Sequence, residues 1–214
     1  FQKVGKAIIL EDDCIPSKEF FPFMEKMLDR YRANLKIGSV CGSNFFNFKT
    51  KYKENYFFSK YQHCWGWATW KNRWQKFDGN LKTLDKIKKN KFLKSYLGSY
   101  KAYLYWHWIL DRVKNGKMNS WAYTWAYTGF INKYLHVHPK KSLIKYIGYD
   151  NSATNTKNKP KYNLKITNNS KFRFPSTHPS KILVNNIYDR YCEDEIFSKS
   201  LKNRLYWFLK KSWL

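Results

Sequence analysis

The chain has 214 residues, 43% of them hydrophobic and 20% aromatic, with ten Trp and a formal net charge of +26. That apolar content supports a sizeable core in one domain and argues against a disordered chain, and no apolar run reaches transmembrane length. The charge suits anionic partners such as nucleic acid, lipid head groups or nucleotide diphosphates, although a compositional bias toward Lys, Asn and Tyr would produce it equally.

In chain order, Ala7-Ile8-Ile9-Leu10 predicts a strand. Four aliphatic residues are too few for a helix, and an unbroken apolar run suits a strand buried on both faces of a parallel α/β sheet. The run stops at Glu11-Asp12-Asp13-Cys14-Ile15-Pro16. Ligands of open α/β sheets bind beyond the carboxyl ends of the strands. Adjacent carboxylates repel one another unless a cation or a basic partner offsets their charge. Such hard oxygen ligands hold Mg²⁺ or Mn²⁺ against a nucleotide; the bland reading is an acidic loop with solvated side chains. The string resembles the DxD-type motif of GT-A glycosyltransferases in its Glu-Asp-Asp variant. That resemblance implies that Asp13 is a metal ligand and that Glu11 and Asp12 belong to the donor site. It also implies an α/β fold of GT-A type, a mixed sheet flanked by helices. In that family the nucleotide-binding strands precede the acidic motif, so the sequence is expected to be the carboxyl-terminal part of a longer protein.

Phe20, Phe23 or Met24, Met27 or Leu28, and Tyr31 recur at helical spacing, which predicts a helix from Ser17, as cap, to about Ala33. Pro22 fits only in its first turn. Ile37 to Val40, closed by Cys41-Gly42, predicts a short buried strand. The next landmark is Tyr56 to Trp70, with Cys64-Trp65-Gly66-Trp67-Ala68-Thr69-Trp70 at its end. Two indoles flanking a glycine offer a platform for a sugar ring or a base, or else form a packed aromatic cluster under a loop. The string resembles the Trp-Gly-Trp-Ala-Thr-Trp signature of bacterial GT-A glycosyltransferases, which implies substrate-site roles for Trp65, Gly66 and Trp67. Lys71 and Arg73, just beyond, are candidate diphosphate contacts.

Lys82 to Tyr96 reads as a Lys-rich helix with a solvated face. A stronger helix is expected from Ser99 to Lys114, ended by Asn115-Gly116. His107 and Asp111, four residues apart, share one face of it. They could be a catalytic base with its orienting partner, or a local hydrogen bond. Another helix is expected from Asn119 to about Lys133, then a strand over Leu135-His136-Val137-His138-Pro139. Relatives of the GT-A type carry an aspartate in the Trp-x-Tyr element where this chain has Ala122, which makes Asp111 the substitute base. Ile147 to Thr156 resembles the family's closing segment, in which a histidine completes the metal shell. Asn155 takes that place here, with Asp150 as the alternative ligand.

Residues 157–181, rich in Lys, Asn, Ser and Pro, predict a long loop, followed from Ile182 by a last helical region. Leu201 to Leu214 mixes basic and aromatic residues like a helix lying on an anionic membrane surface. The expected division is a catalytic domain over 1–156, an extension over 157–200 and a tail over 201–214. Cys14, Cys41, Cys64 and Cys192 form no CxxC pair, so neither a zinc knuckle nor a disulfide framework is indicated.

The three resemblances together imply a metal-dependent glycosyltransferase, using Mn²⁺ or Mg²⁺ and a nucleotide-diphospho-sugar donor, with a glycan or lipid-linked acceptor. Its expected location is the cytoplasm, peripheral to the inner face of the membrane. Two other readings use the same charge: a nucleic-acid-binding module with stacking aromatics, and a non-catalytic membrane-surface protein. Glu11-Asp12-Asp13 would repel a phosphate backbone, which counts against nucleic acid.

Overall fold

The computed structural model describes residues 1–46, 48, 54–148 and 177–197. They form a mixed α/β protein in two compact units, one built from Phe1–Gln75 with Tyr134–Asn185, the other from Lys76–Lys133 with Asn186 onward.

The first unit holds a five-stranded mixed sheet: β1 (Lys6–Ile9), β3 (Ile37–Cys41), β4 (Tyr56–Ser59), β5 (Trp67–Trp70) and β6 (Leu135–Pro139), in the order β1-β5-β3-β6-β4. Only β3 and β6 run parallel; the other neighbours are antiparallel. The strand expected to be buried on both faces of a parallel sheet is therefore corrected. Among the described residues β1 pairs only with β5, antiparallel, and its Ala7, Ile8 and Ile9 are half-buried. An apolar run reports burial, and an edge strand covered on one face shows much the same run as an interior one. β3 and β5, inside the sheet, are fully buried, and so is β4 although it stands at the end of the strand order.

Across β3 and β5 lies α1 (Phe20–Arg30), which buries Phe20, Phe23, Met24, Met27 and Leu28 at the expected spacing, with Pro22 in its first turn. Ser17 is not its cap. The residue at that position is Glu19, and the Ser17 amide instead donates to the Leu143 carbonyl at 2.9 Å. Arg73 closes the far end. It lies in the short α2 (Lys71–Trp74), is 1% exposed, and stacks over the Trp70 ring at 4.3 Å. Its Nη2 donates to the carbonyls of Tyr31, Arg32 and Asn34 at 3.2, 3.0 and 3.0 Å, and its Nε to that of Ile37 at 3.2 Å. A guanidinium with its donors spent on the main chain past a helix end is a structural cap. Arg73 is thereby corrected as a diphosphate contact.

A two-stranded antiparallel ribbon of β2 (Cys14–Pro16) and β7 (Ile144–Tyr146) completes the first unit. The second unit is helical: α3 (Leu84–Lys89), α4 (Phe92–Leu97), α5 (Tyr100–Lys114), α6 (Trp121–Ile131) and α7 (Asn186–Tyr191), with a π-helical turn over Cys192–Phe197. The single Lys-rich helix expected over Lys82 to Tyr96 is two helices, broken at Lys91 with φ 56°. α5 covers the expected stretch, with Ser99 as its cap accepting from the Ala102 amide at 3.3 Å. Trp106 on α5 packs edge-on against Phe130 of α6 at 4.8 Å and against Phe197 at 5.5 Å, which centres the core of this unit.

Candidate functional site

β1 and β5 are in register with Ile9 opposite Trp67, so the chain leaving β1 through Leu10 and Glu11 passes beside Gly66 and Trp65 as they enter β5. It turns at once, the Cys14 amide donating to the Glu11 carbonyl at 3.1 Å. It then enters β2, where Cys14 pairs with Tyr146, and the Ile147 amide donates to the Asp13 carbonyl at 3.0 Å. The acidic turn is thus fastened on one side to the sheet and on the other to the ribbon. Ligand atoms of Glu11, Asp13 and Cys14 all lie within 4.8 Å of one another. Glu11 and Asp13 are half-buried, whereas Asp12 is exposed.

The donor set fits a hard cation through its oxygens. Cys14 Sγ lies 3.6 Å from Asp13 Oδ1, and burial, then the nearby Asp13 charge, pushes the thiol up to about 12. A protonated thiol donates to the carboxylate and leaves Glu11 and Asp13 as the oxygen ligands suited to Mg²⁺ or Mn²⁺. Gly148 packs directly against this turn: a Cβ there would stand 2.5 Å from Asp13 Oδ2 and 2.7 Å from Tyr146 Oη, so a side chain would have to displace those groups.

Trp65 borders this turn. It is half-buried, meets Phe45 edge-on at 5.2 Å and 87°, and meets Tyr146 at 5.9 Å and 73°. Gly66 adopts φ +61°, and a Cβ on it would lie 2.6 Å from Ile144 Cδ1, so both conformation and space demand glycine. Trp67 differs: at 2% exposure it belongs to the core, packed on Trp74 at 6.0 Å, and offers no ring surface to a ligand. Strand alternation would set residues two apart on one face; Gly66 at φ +61° stands between them, ahead of the first residue of β5, and breaks that alternation.

Behind Trp65 the two loops leaving β3 and β4 are tied to β6 by His138. Its Nδ1 lies 3.2 Å from the Ser43 carbonyl oxygen and its Nε2 2.9 Å from that of Tyr61. His63 packs edge-on against both His138, at 5.1 Å, and Phe45, at 4.4 Å. His136 Nδ1 lies 2.7 Å from Ser39 Oγ. Burial holds all three imidazoles below the usual range, His136 at about 3 and His138 at about 4.

Asp111 and His107 belong to the helical unit. Asp111 is buried in an ion pair with Lys88, and His107 is half-buried with its ring edge-on to Tyr103 at 5.5 Å. Lys71 is exposed. Asn155 and Asp150, the expected completion of the metal shell, lie outside the described residues, as does the tail over 201–214. Tyr146, Gly148 and the thiol of Cys14 are additions that sequence reasoning missed. β7 is three residues long and pairs with a segment about 130 residues earlier, which leaves no local pattern to read.

No protein-family model matches the chain, and no curated protein matches it. Among the described residues no helix is long and apolar enough to cross a membrane.

Proposed function

We propose that the chain is a metal-dependent glycosyltransferase of GT-A type that moves a sugar from a nucleotide-diphosphate donor to a glycan or lipid-linked acceptor in cell-surface polysaccharide synthesis. One observation carries the reading. The acidic turn leaving β1 brings the Glu11 and Asp13 oxygens within 4.8 Å of each other, next to the ribbon whose Tyr146 meets the half-buried Trp65 at 5.9 Å. Glu11 and Asp13 would hold the cation, while Trp65 presents an aromatic surface suited to the apolar side of a sugar ring. A bound dication supplies positive charge against the departing diphosphate. Asp12, exposed next to them in sequence, would accept from ligand hydroxyls. The similarity of Glu11-Asp12-Asp13 and of Trp65-Gly66-Trp67 to GT-A motifs supports the same reading.

Calorimetric titration of UDP and of GDP into the protein, with and without Mn²⁺, tests it. Binding is expected to require Mn²⁺ and to weaken at least tenfold in Asp13→Ala. Binding that ignores the metal or survives Asp13→Ala overturns the reading. A polyanion affinity that collapses with salt and needs no metal would point to nucleic acid instead.

A further inference from the structure

β4 stands at the end of the strand order, and among the described residues its outer side is met by the segment 177–185 of the same unit. The segment is lightly fastened. At one end Val184 makes a single parallel bridge with Phe58, whose carbonyl accepts from the Asn185 amide at 2.8 Å. In between, Ile182 packs on the core and Leu183 is 65% exposed. At the other end Thr177 Oγ1 donates to Asn55 Oδ1 at 2.9 Å, and His178 Nδ1 lies 2.9 Å from Tyr56 Oη, with the two rings edge-on at 5.7 Å. A segment held by so few bonds opens locally at little cost, so a single contact decides whether it stays.

The Tyr56 hydroxyl suits only one form of that imidazole. It is buried, it lies 2.6 Å from Tyr31 Oη, and the Arg30 side chain reaches both phenol oxygens as a donor. With Arg30 and Tyr31 donating to it, the Tyr56 oxygen has its own proton left to give, and a neutral His178 accepts that proton at Nδ1. A protonated ring carries an N–H at Nδ1 as well, and two donors then face each other across 2.9 Å. Charge acts in the same direction. The titratable groups facing the ring are Lys26 and Arg30 of α1, Tyr31 just past its end, and Tyr56 of β4; burial, then the Arg30 and Lys26 charges, hold the imidazole below its usual range. The ring is half-buried, so protons reach it from solvent.

We infer that His178 is a proton-sensitive latch: neutral, it pins residues 177–185 along β4, and protonated, it releases them. A released His178 titrates near pH 6.5 and a latched one below it. The latch is therefore complete above that pH and fails as pH falls toward the latched value. Release uncovers the outer edge of β4, a strand edge of the kind that takes up an added strand. The latch works whatever the acidic turn binds.

Hydrogen exchange of the full chain, followed by NMR between pH about 7.5 and about 5.5, tests it, with rates expressed as protection factors so that the intrinsic pH dependence of exchange drops out. The Asn185 amide reports the segment, and the amides paired between β3 and β5 report opening of the whole unit. In wild type, Asn185 protection is expected to fall about tenfold over this range beyond any fall at the β3 and β5 amides. His178→Asn keeps an acceptor near the place of Nδ1 and takes up no proton, and is expected to abolish the extra fall. Tyr56→Phe removes the donor and is expected to lower Asn185 protection at the upper pH already. Wild-type protection at Asn185 that stays constant, or falls only in step with β3 and β5, overturns the latch. So does an undiminished fall in His178→Asn, or unchanged Asn185 protection in Tyr56→Phe. Should the variants not fold, the His178 ring-proton titration in wild type decides. A midpoint below about 6.5 that coincides with the loss at Asn185 supports the latch, and a midpoint at about 6.5 or apart from that loss overturns it.

Discussion

His138 is asked to do two things that its neutral ring cannot do at once. Both nitrogens face carbonyl oxygens, at 3.2 and 2.9 Å, and a neutral imidazole has one N–H to give. A charged ring would satisfy both carbonyls, yet it would stand beside His63 and His136 with Phe57 stacked on it at 5.5 Å, in a fully buried place. Burial wins, and the ring stays neutral, held at about 4. Nε2 makes the shorter contact, to the Tyr61 carbonyl. The consequence for stability follows from proton counting. An unfolded histidine titrates near 6.5, and the folded ones, at about 3 for His136 and about 4 for His138, do not take up a proton there. Below pH ~6.5 the unfolded chain binds more protons, so stability is complete above that pH and is lost as pH falls toward the folded values. Each of the two imidazoles is expected to cost roughly 1 kcal/mol per pH unit well below 6.5. Urea unfolding from pH 7.5 to pH 5 checks this. The slope should become shallower in His138→Gln, which keeps an amide N–H for the Tyr61 carbonyl, and a flat wild-type profile would contradict the account.

At the scale of elements, sequence periodicity located those whose burial is strong and local. Phe20 to Leu28 repeats at helical spacing and becomes α1; Ile37 to Cys41 is continuous and apolar and becomes β3; Ser99 and Asn115-Gly116 punctuate α5. Glu11, Asp13, Trp65 and Gly66 stood out in the sequence as candidates, because three adjacent carboxylates and a glycine between indoles are unusual patterns. What periodicity could not show is pairing. Whether Ala7 to Ile9 is an edge or an interior strand depends on its neighbours, and β2 and β7 exist only because they find each other across the chain. The break between α3 and α4 is marked in the sequence by Asn90 alone, a residue common just past helix ends, inside an otherwise continuous Lys-rich pattern. Lys91 nonetheless takes the left-handed region at φ 56°, with the Asn90 side chain accepting from the Phe92 amide at 3.0 Å. A lysine there bears a steric cost that glycine would not. Lys91→Gly is therefore expected to stabilise the protein by about 1 kcal/mol, measured as a rise in the denaturant midpoint at constant slope. A fall would mean that the wider freedom of glycine in the unfolded chain outweighs the strain.

For the whole molecule the governing quantity is charge. With 41 Lys and Arg against 15 Asp and Glu, repulsion opposes folding, and the ion pairs Lys6 to Asp29, Lys101 to Asp194 and Lys114 to Asp85 lie largely at the surface, where each contributes little. Screening should therefore help more than it harms. Raising NaCl from about 0.03 M to about 0.3 M is expected to lift the melting temperature by a few degrees; a fall would show that the attractive pairs dominate. The order of strands in the sheet has its own consequence, in the time over which the protein is made. β6 lies between β3 and β4, yet it is the last of the five to emerge during synthesis, after β5 and the helices α2 to α6. Until then the nascent chain carries β3 and β4 with open apolar edges, the state in which strands pair with the wrong partners. Translation speed and chaperone supply over residues 60–134 would thus bear on the yield of folded protein more than the stability of the finished sheet does.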